Sequence, residues 1–336
     1  MKVLPFYLPH QGCPHQCVYC NQPLIINTPS EEAQWGERLD QLHRVDPRTP
    51  WEIAFYGGTF SALPRETIER CLATVRPYLA LPHVVGVRIS TRPDSLNGAM
   101  LDWLQAQGVT TIELGGESFD DRVLRKAARG HTQQQFLDAC HAIQSREIRL
   151  GLHLMCGLPG QSEDSWRETI ATAVDIQPDM VRFAPTLILK DTPLEQLYRQ
   201  GRYTPLPYAE ALDQCAHAYC AFFLEKIPII RVGLALSDPC GDGVDKLVAG
   251  PWHPALRHEV ESLLVRRRIE AALRESTETT IRIHPKDLSI TQGGKRCNLT
   301  YWRVQLSRPV TLSRDEEQPR TTFSLGNRGY SLFLEG

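Results

Sequence analysis

The chain has 336 residues, of which 42% are hydrophobic, with 37 Lys and Arg against 39 Asp and Glu. This composition excludes an intrinsically disordered chain and a collagen-like repeat. No run approaches the ~18 apolar residues that a membrane span needs, and residues 1–5 are too short for a secretory signal. We therefore expect a cytoplasmic protein with no membrane partner.

Seven short β-branched or aromatic runs alternate with amphipathic stretches. The predicted strands are residues 3–8, 51–56, 84–90, 109–114, 149–155, 180–184 and 229–234, and the predicted helices between them are 64–79, 98–107, 120–128, 132–144, 162–175 and 207–225. Strand and helix in alternation, without hairpin signals, predict parallel βα units. Because polar residues and glycines end many of these strands, we predict an α/β fold with a partial or full (β/α) TIM-like barrel rather than an open sheet.

The pattern changes after about residue 240. A helical run follows over residues 253–273, and then come four β-rich pieces at 280–283, 301–306, 321–325 and 330–334. We therefore predict a barrel in residues 1–240 and a small α+β appendage in residues 241–336.

Three cysteines follow the first predicted strand with the spacing C-x3-C-x2-C: Cys13, Cys17 and Cys20. Disulfides are rare in a reducing cytosol, so clustered cysteines favour metal or redox chemistry. Zinc would need a fourth ligand, which His10 or His15 could supply. An iron–sulfur cube held by three cysteines leaves one iron open to another molecule. Three structural thiols without a metal are the remaining alternative.

This spacing, with Tyr19 before the last cysteine and on the loop after strand one, resembles the radical S-adenosylmethionine (SAM) superfamily. The resemblance implies that Cys13, Cys17 and Cys20 hold a [4Fe–4S] cluster whose open iron binds SAM. It also implies an electron donor such as flavodoxin or ferredoxin. In that superfamily the reduced cluster cleaves SAM to methionine and a 5′-deoxyadenosyl radical, which abstracts hydrogen from a substrate.

A glycine pair after the second predicted strand extends the resemblance. Gly57, Gly58 and Thr59 resemble the superfamily's Gly-Gly-Glu motif, whose backbone receives the amino group of SAM. Glycine suits such an approach because it lacks a Cβ. Since Thr59 stands where Glu is commoner, we expect backbone carbonyl oxygens to contact the amino group of SAM.

The chain also resembles one subgroup of this superfamily, in residues 88–94 and 112–119 and at Arg129. That subgroup contains the radical SAM part of the Elongator catalytic subunit and the oxygen-independent coproporphyrinogen III oxidases. The resemblance implies that Ser90 and Glu117 reach the ribose and methionyl end of SAM and that Arg129 pairs with its carboxylate. The subgroup usually has Gln where this chain has Glu117. A carboxylate only accepts hydrogen bonds, so Glu117 would repel the SAM carboxylate unless Arg129 lies between them. Alternatively, Glu117 is an acidic residue at a helix N-terminus that interacts only with the helix dipole.

The ends of the fifth and sixth predicted strands carry Met155 and Pro185. By the same resemblance, the fifth strand end supplies backbone and apolar contacts to adenine, and both residues are expected among the SAM contacts.

Three functions remain open at this point. We favour radical chemistry on an unidentified substrate. The Elongator resemblance also suggests tRNA modification, but we expect no acetyltransferase domain of that family's kind, because only residues 241–336 follow the predicted barrel. The net charge of residues 251–336 is only about +4 and that of the rest about −6, so we do not expect strong binding to the phosphate backbone of a nucleic acid. The arginines at 266–268 are interpreted as a solvated helix face. A non-catalytic haem-delivery protein is the third alternative.

Overall fold

The computed structural model describes residues 1–14, 16–25, 34–234, 236 and 244–333. Its strands are β1 (Lys2–Tyr7), β2 (Trp51–Tyr56), β3 (Val84–Thr91), β4 (Val109–Glu117), β5 (Arg149–Cys156), β6 (Met180–Pro185), β7 (Ile188–Leu189), β8 (Ile229–Val232), β9 (Leu247–Ala249), β10 (Thr280–Ile283), β11 (Thr311–Arg314), β12 (Thr322–Leu325) and β13 (Arg328–Ser331). Its helices are α1 (Gln22–Ile25), α2 (Trp35–Asp40), α3 (Arg65–Val75), α4 (Gly98–Ala106), α5 (Asp121–Lys126), α6 (Gln133–Gln144), α7 (Glu163–Ile176), α8 (Pro193–Arg199), α9 (Tyr208–Leu224), α10 (Leu256–Arg274), α11 (Leu288–Gln292) and α12 (Cys297–Leu306). Among the described residues, no helix has the length and apolar character that crossing a bilayer requires.

Seven parallel strands form one sheet in the order β1-β2-β3-β4-β5-β6-β8. Each strand pairs with the preceding strand of the sheet, and the intervening segments include helices, as repeated βα units require. The sheet curls into a half-barrel with β1 and β8 at its two edges, so the barrel is partial and the predicted fold class is confirmed. The predicted domain boundary at 240/241 lies outside the described residues.

The two faces of the curled sheet differ in polarity. In β2, the Phe55 ring packs 5.1 Å from the Phe60 ring and belongs to the main apolar core. Glu52 and Tyr56 lie on the other face, where they contact charged side chains. Because side chains alternate along a strand, one face buries the apolar core and the other gives the half-barrel a polar interior.

The C-terminal part combines α10–α12 with a four-stranded sheet in the order β11-β10-β12-β13. The prediction of a strand at 301–306 is wrong, because these residues form the end of α12. Asn298 and Trp302 lie one helical turn apart and are both buried against α10, where Trp302 Nε1 donates to the Arg266 carbonyl at 3.1 Å. This packing outweighs the β-propensity of the aromatic and β-branched residues.

The three arginines at 266–268 are each engaged within the protein. The Arg266 guanidinium lies 4.5 Å from the centre of the Tyr301 ring, and the Arg268 guanidinium lies over the ring of Tyr330. Arg267 pairs with Asp213 at 2.5 Å. Arg267 is exposed and its two neighbours are half-buried, so the run lies at the protein surface with its charges partly satisfied by neighbouring side chains.

Candidate active site

A large cavity opens on the inner side of the half-barrel. Its volume is about 1290 Å³, and every strand of the seven-stranded sheet contributes to its lining. In (β/α) barrels the carboxyl ends of the strands form the functional face. The lining contains all eleven residues assigned from the sequence to the cluster and to SAM: Cys13, Cys17, Cys20, Gly57, Gly58, Thr59, Ser90, Glu117, Arg129, Met155 and Pro185. The fold brings them together, while their individual roles remain predictions.

Backbone hydrogen bonds dock the cysteine loop on the turn after β2. The N–H of His10 donates to the Gly57 carbonyl at 2.8 Å, and the N–H of Thr59 donates to the Gln11 carbonyl at 2.9 Å. A Cβ on Gly58 would lie 2.1 Å from that Gln11 oxygen, so a larger residue there would push the two segments apart. The glycine pair and the cysteine loop thus form one local unit.

All three loop thiols line the cavity and none is in a disulfide. Cys13 Sγ lies 3.4 Å from Thr59 Oγ1, and Cys17 Sγ accepts a hydrogen bond from Arg129 Nη1 at 3.1 Å. Burial, and then the neighbouring Cys17 and Cys13, raise the pKa of Cys20 to about 12. Adjacent thiolates are stabilised by the positive charge of bound iron, so this donor set fits a three-cysteine iron–sulfur cluster.

The histidines considered for zinc give that alternative little support. The ring Nε2 of His10 accepts a hydrogen bond from the backbone N–H of Gln22 at 3.0 Å, so this nitrogen already has a partner. His15 lies outside the described residues. Within the part of the chain that the structure describes, no three His, Cys, Asp or Glu side chains are gathered closely enough to hold a single metal ion.

Glu117 lies in the cavity wall between two basic side chains. It ends β4 with φ 68°, a conformation that side-chain-bearing residues rarely adopt, and its side chain is buried. Its Oε2 is 3.0 Å from His153 Nδ1, and its Oε1 is 3.7 Å from Arg129 Nη1. Burial by itself raises the pKa of Glu117, but the charges of His153 and Arg129 outweigh burial and hold the pKa at about 2. Glu117 is therefore ionised at neutral pH.

Arg129 connects this acid to the cysteine loop. Its Nη1 donates to Cys17 Sγ and, at 3.3 Å, to the Tyr19 hydroxyl, while its Nη2 donates to the Gly115 carbonyl. Its Nε is buried and has no hydrogen-bond partner among the described residues. The helix-terminus reading of Glu117 is not supported, because α5 begins at Asp121 and has a different capping side chain.

The remaining predicted residues lie at the ends of β3, β5 and β6. Ser90 Oγ is buried and has no hydrogen-bond partner among the described residues, which makes it available to a ligand. Met155 packs in a small apolar cluster with Val123 and Leu158. Pro185 is the last residue of β6. Together they supply one polar and two apolar contacts to the cavity.

A buried charge network that was not predicted from the sequence lies deeper in the half-barrel. Arg88 pairs with Glu52 and, at 2.8 Å, with Glu113. Arg182 Nε lies 3.1 Å from the other oxygen of Glu113, and Arg149 pairs with Glu52. The available signal was polar residues at every second position of otherwise apolar strands, which marks a polar inner face.

Two family models match most of the chain. The model of the radical SAM superfamily matches residues 7–173, and the model of the radical SAM C-terminal domain matches residues 178–266. The first match includes the cysteine loop and β2–β5, and the second includes β6, β8 and part of α10.

Relatives in sequence include proteins of the Elongator type. The tRNA uridine(34) acetyltransferase of Methanocaldococcus infernus is 28% identical over 206 residues, which are 55% of this chain and 39% of that protein. An uncharacterized protein of Methanocaldococcus jannaschii is 26% identical over 257 residues, which are 72% of this chain and 77% of that protein. The match thus spans about two fifths of the length of the acetyltransferase.

A solved structure has the same fold. The archaeal Elp3 of Methanocaldococcus infernus, with an N-terminal deletion, gives a TM-score of 0.62 at 22% identity and covers 79% of this chain and 62% of that chain. At this identity the likeness concerns the fold alone. The two family matches, together with the cysteine loop at the mouth of the half-barrel, show that this chain belongs to the radical SAM superfamily, whose members use a [4Fe–4S] cluster and SAM.

Proposed function

We propose that this protein is a radical SAM enzyme that cleaves SAM reductively and acts on a further substrate in the same cavity. One observation carries the proposal: the three cysteine thiols, the Gly57-Gly58 turn and the Glu117–Arg129 pair line a single cavity. Ordinary ligand pockets measure roughly 300–1,000 Å³. A volume of about 1290 Å³ leaves space for a second small molecule beside SAM.

The cluster, when bound, supplies one electron to the sulfonium of SAM and so yields the 5′-deoxyadenosyl radical. The protein's own residues position SAM for this reaction. The buried Ser90 hydroxyl and the ionised Glu117 can hold ribose hydroxyls, because Ser90 has no other partner among the described residues and Glu117 only accepts. Arg129 supplies the positive charge that separates Glu117 from the SAM carboxylate.

The proposal is tested by anaerobic reconstitution with iron and sulfide, followed by reduction in the presence of SAM. Flavodoxin or ferredoxin serves as the electron donor, and chromatography measures 5′-deoxyadenosine. We expect 5′-deoxyadenosine from the wild type and from Cys71→Ala, a buried cysteine of α3 far from the loop in sequence, and none from Cys17→Ala. A reconstituted wild type that forms no 5′-deoxyadenosine but binds haem stoichiometrically would support the non-catalytic alternative instead.

Action on tRNA is a second candidate, favoured by the names of the acetyltransferase relatives. The net charge of −2 argues against tight binding of a polyanion, because affinity for nucleic acid grows with the number of phosphates neutralised. We therefore rank a small-molecule substrate first.

A further inference from the structure

A row of alternating charges crosses the polar face inside the half-barrel. Glu52 lies between Arg149 and Arg88, and Glu113 lies between Arg88 and Arg182. Glu52, Arg88 and Glu113 are buried, and the Tyr56 hydroxyl also donates to Glu113, at 2.9 Å. Buried carboxylates require such partners, since an uncompensated buried charge is strongly destabilising. Each carboxylate of the row is thus paired with two arginines, although Glu113 Oε2 forms an ion pair with Arg182 without a hydrogen bond.

The row ends at Arg182, whose side chain reaches the cavity. Arg182 contributes its Nε to Glu113, and its side chain remains 27% exposed and lines the cavity. Three arginines face two glutamates in this row, and Arg182 also interacts electrostatically with the buried Glu117. Arg149, at the other end, is not part of the cavity lining. Of the two arginines of the row that line the cavity, Arg88 is buried, so Arg182 is the one that a ligand can reach.

A second arginine lies directly beside the first. Arg231 on β8 is the register partner of Arg182 on β6, is exposed and lines the same cavity. Within the described ranges, Arg231 makes no ion pair or hydrogen bond through its side chain. Like charges at directly opposed strand positions repel each other. An anion bound between the two guanidinium groups would remove this repulsion.

His153 extends the row on the other side of Arg182. It is the register partner of Arg182 on β5, and its Nδ1 lies 3.0 Å from Glu117 Oε2. Its other ring nitrogen, Nε2, is not hydrogen-bonded to any described residue, and the ring lines the cavity. His153, Arg182 and Arg231 therefore form one row of basic groups across three adjacent strands.

We propose that this row is the site at which the substrate is anchored, and that the substrate is a small molecule bearing a compact anion, either a carboxylate or a phosphate. The inference rests on the proposed function, because it names the substrate class of that same cavity. Guanidinium groups bind both anions through paired, charge-assisted hydrogen bonds. The register pairing of Arg182 and Arg231 supplies two such groups on neighbouring strands.

The position separates this anion from the SAM carboxylate. Arg182 lies three residues before Pro185 on β6, so it is roughly 10 Å deeper along the strand than the end of β6, at about 3.3 Å per residue. Arg129, the cation assigned to SAM, instead contacts the cysteine loop. The substrate would thus be held from inside the half-barrel, with SAM at its mouth.

The test is anaerobic calorimetric titration of the reconstituted, SAM-saturated protein with inorganic phosphate and, separately, with succinate, at constant ionic strength. Saturation with SAM blocks the open iron, which otherwise binds anions itself. The variant is Arg231→Gln, and Arg328→Gln on β13 is the matched control, since it also removes an exposed arginine and this arginine is not in the cavity lining. The affinity of each protein for SAM is measured in parallel.

We expect the wild type and Arg328→Gln to bind at least one probe saturably, and Arg231→Gln to bind it about tenfold more weakly or worse, with unchanged SAM affinity. Preference for phosphate would indicate a phosphate ester, and preference for succinate a carboxylic acid. The proposal is overturned if the wild type binds neither probe, if Arg231→Gln binds as the wild type does, or if Arg231→Gln weakens SAM. If anion binding depends on Arg231 but no 5′-deoxyadenosine forms, the proposed function is contradicted whereas the anion site is supported.

Discussion

Arg129 and Cys17, 112 positions apart in the sequence, are in direct contact: Nη1 of Arg129 donates to Sγ of Cys17 at 3.1 Å. The same guanidinium lies 3.7 Å from Glu117, so one side chain joins the predicted cluster loop to the predicted SAM contacts. A change at Arg129 should therefore affect both the iron site and the nucleoside site.

Arg129→Ala is expected to weaken SAM binding by about one to two decades, since a charge-assisted hydrogen bond is worth roughly 1.5–3 kcal/mol. Because Arg129 also contacts Cys17, the reconstituted iron should be lost faster to a chelator than in the wild type. Equilibrium SAM binding and the rate of iron release measure the two effects. Arg122→Ala, an exposed arginine of α5, should match the wild type in both. Unchanged SAM affinity in Arg129→Ala would mean that this arginine is wrongly assigned.

Anaerobically purified protein is expected to be brown and to hold about four irons per chain, as one cubic cluster requires. Replacing Cys13, Cys17 and Cys20 by Ala should remove both colour and iron, whereas Cys140→Ala, in a buried position of α6, should keep them. Iron analysis and visible absorption provide the measurement. A colourless protein with one equivalent of zinc would contradict this prediction.

Glu117→Gln separates the charge of this side chain from its shape. SAM affinity should stay within about threefold of the wild type, because an amide still accepts hydrogen bonds from ribose hydroxyls. Stability should fall by roughly 1–3 kcal/mol, because His153 and the buried Arg129 lose their carboxylate partner. Denaturant unfolding and SAM titration give the two values. Stability equal to the wild type would argue against the importance of this ion pair.

His131 should make stability depend on pH. Burial, and then the positive charge of Arg129, lower the pKa of His131 to about 4, against about 6.5 in an unfolded chain. Below pH 6.5 the unfolded state takes up a proton that the folded state does not, so stability falls as pH decreases from 6.5 toward 4. The loss should reach a few kcal/mol at about 1.4 kcal/mol per pKa unit.

Urea unfolding at pH 7.5 and pH 5 checks this effect. The difference between the two pH values should shrink in His131→Gln and persist in His43→Gln, whose histidine is exposed. An equal pH dependence in wild type and His131→Gln would show that other groups cause it.

Binding of tRNA is expected to be weak and to fade steeply between about 50 and 200 mM salt. Arg266 and Arg268 stack on tyrosine rings, so replacing them would also disturb packing. Arg267→Gln is the cleaner probe because its side chain is exposed and pairs only at the surface with Asp213. Filter binding over a salt series measures the tRNA affinity of the wild type and of Arg267→Gln. Sub-micromolar affinity at physiological salt would place RNA modification first.

Much of the half-barrel follows from local patterns. The β-branched and aromatic runs in residues 51–56 and 149–155 predicted β2 and β5 almost to the residue, because apolar runs bounded by turns carry their own signal. The cysteine spacing is local as well, and together with Tyr19 it was sufficient to indicate the superfamily. The prediction failed at α12, where Trp302 packs against α10, since burial in tertiary contacts overrides propensity.

The sequence alone therefore determined the order of βα units, the cysteine loop and the residues at the strand ends that meet at one face of the half-barrel. Only the tertiary structure decided that Arg129 contacts Cys17, that Glu52 and Glu113 each lie between arginines, and that Arg231 adjoins Arg182. The reason is physical: periodicity and spacing are properties of neighbouring residues, whereas these contacts depend on the register of strands and on which charges are buried together.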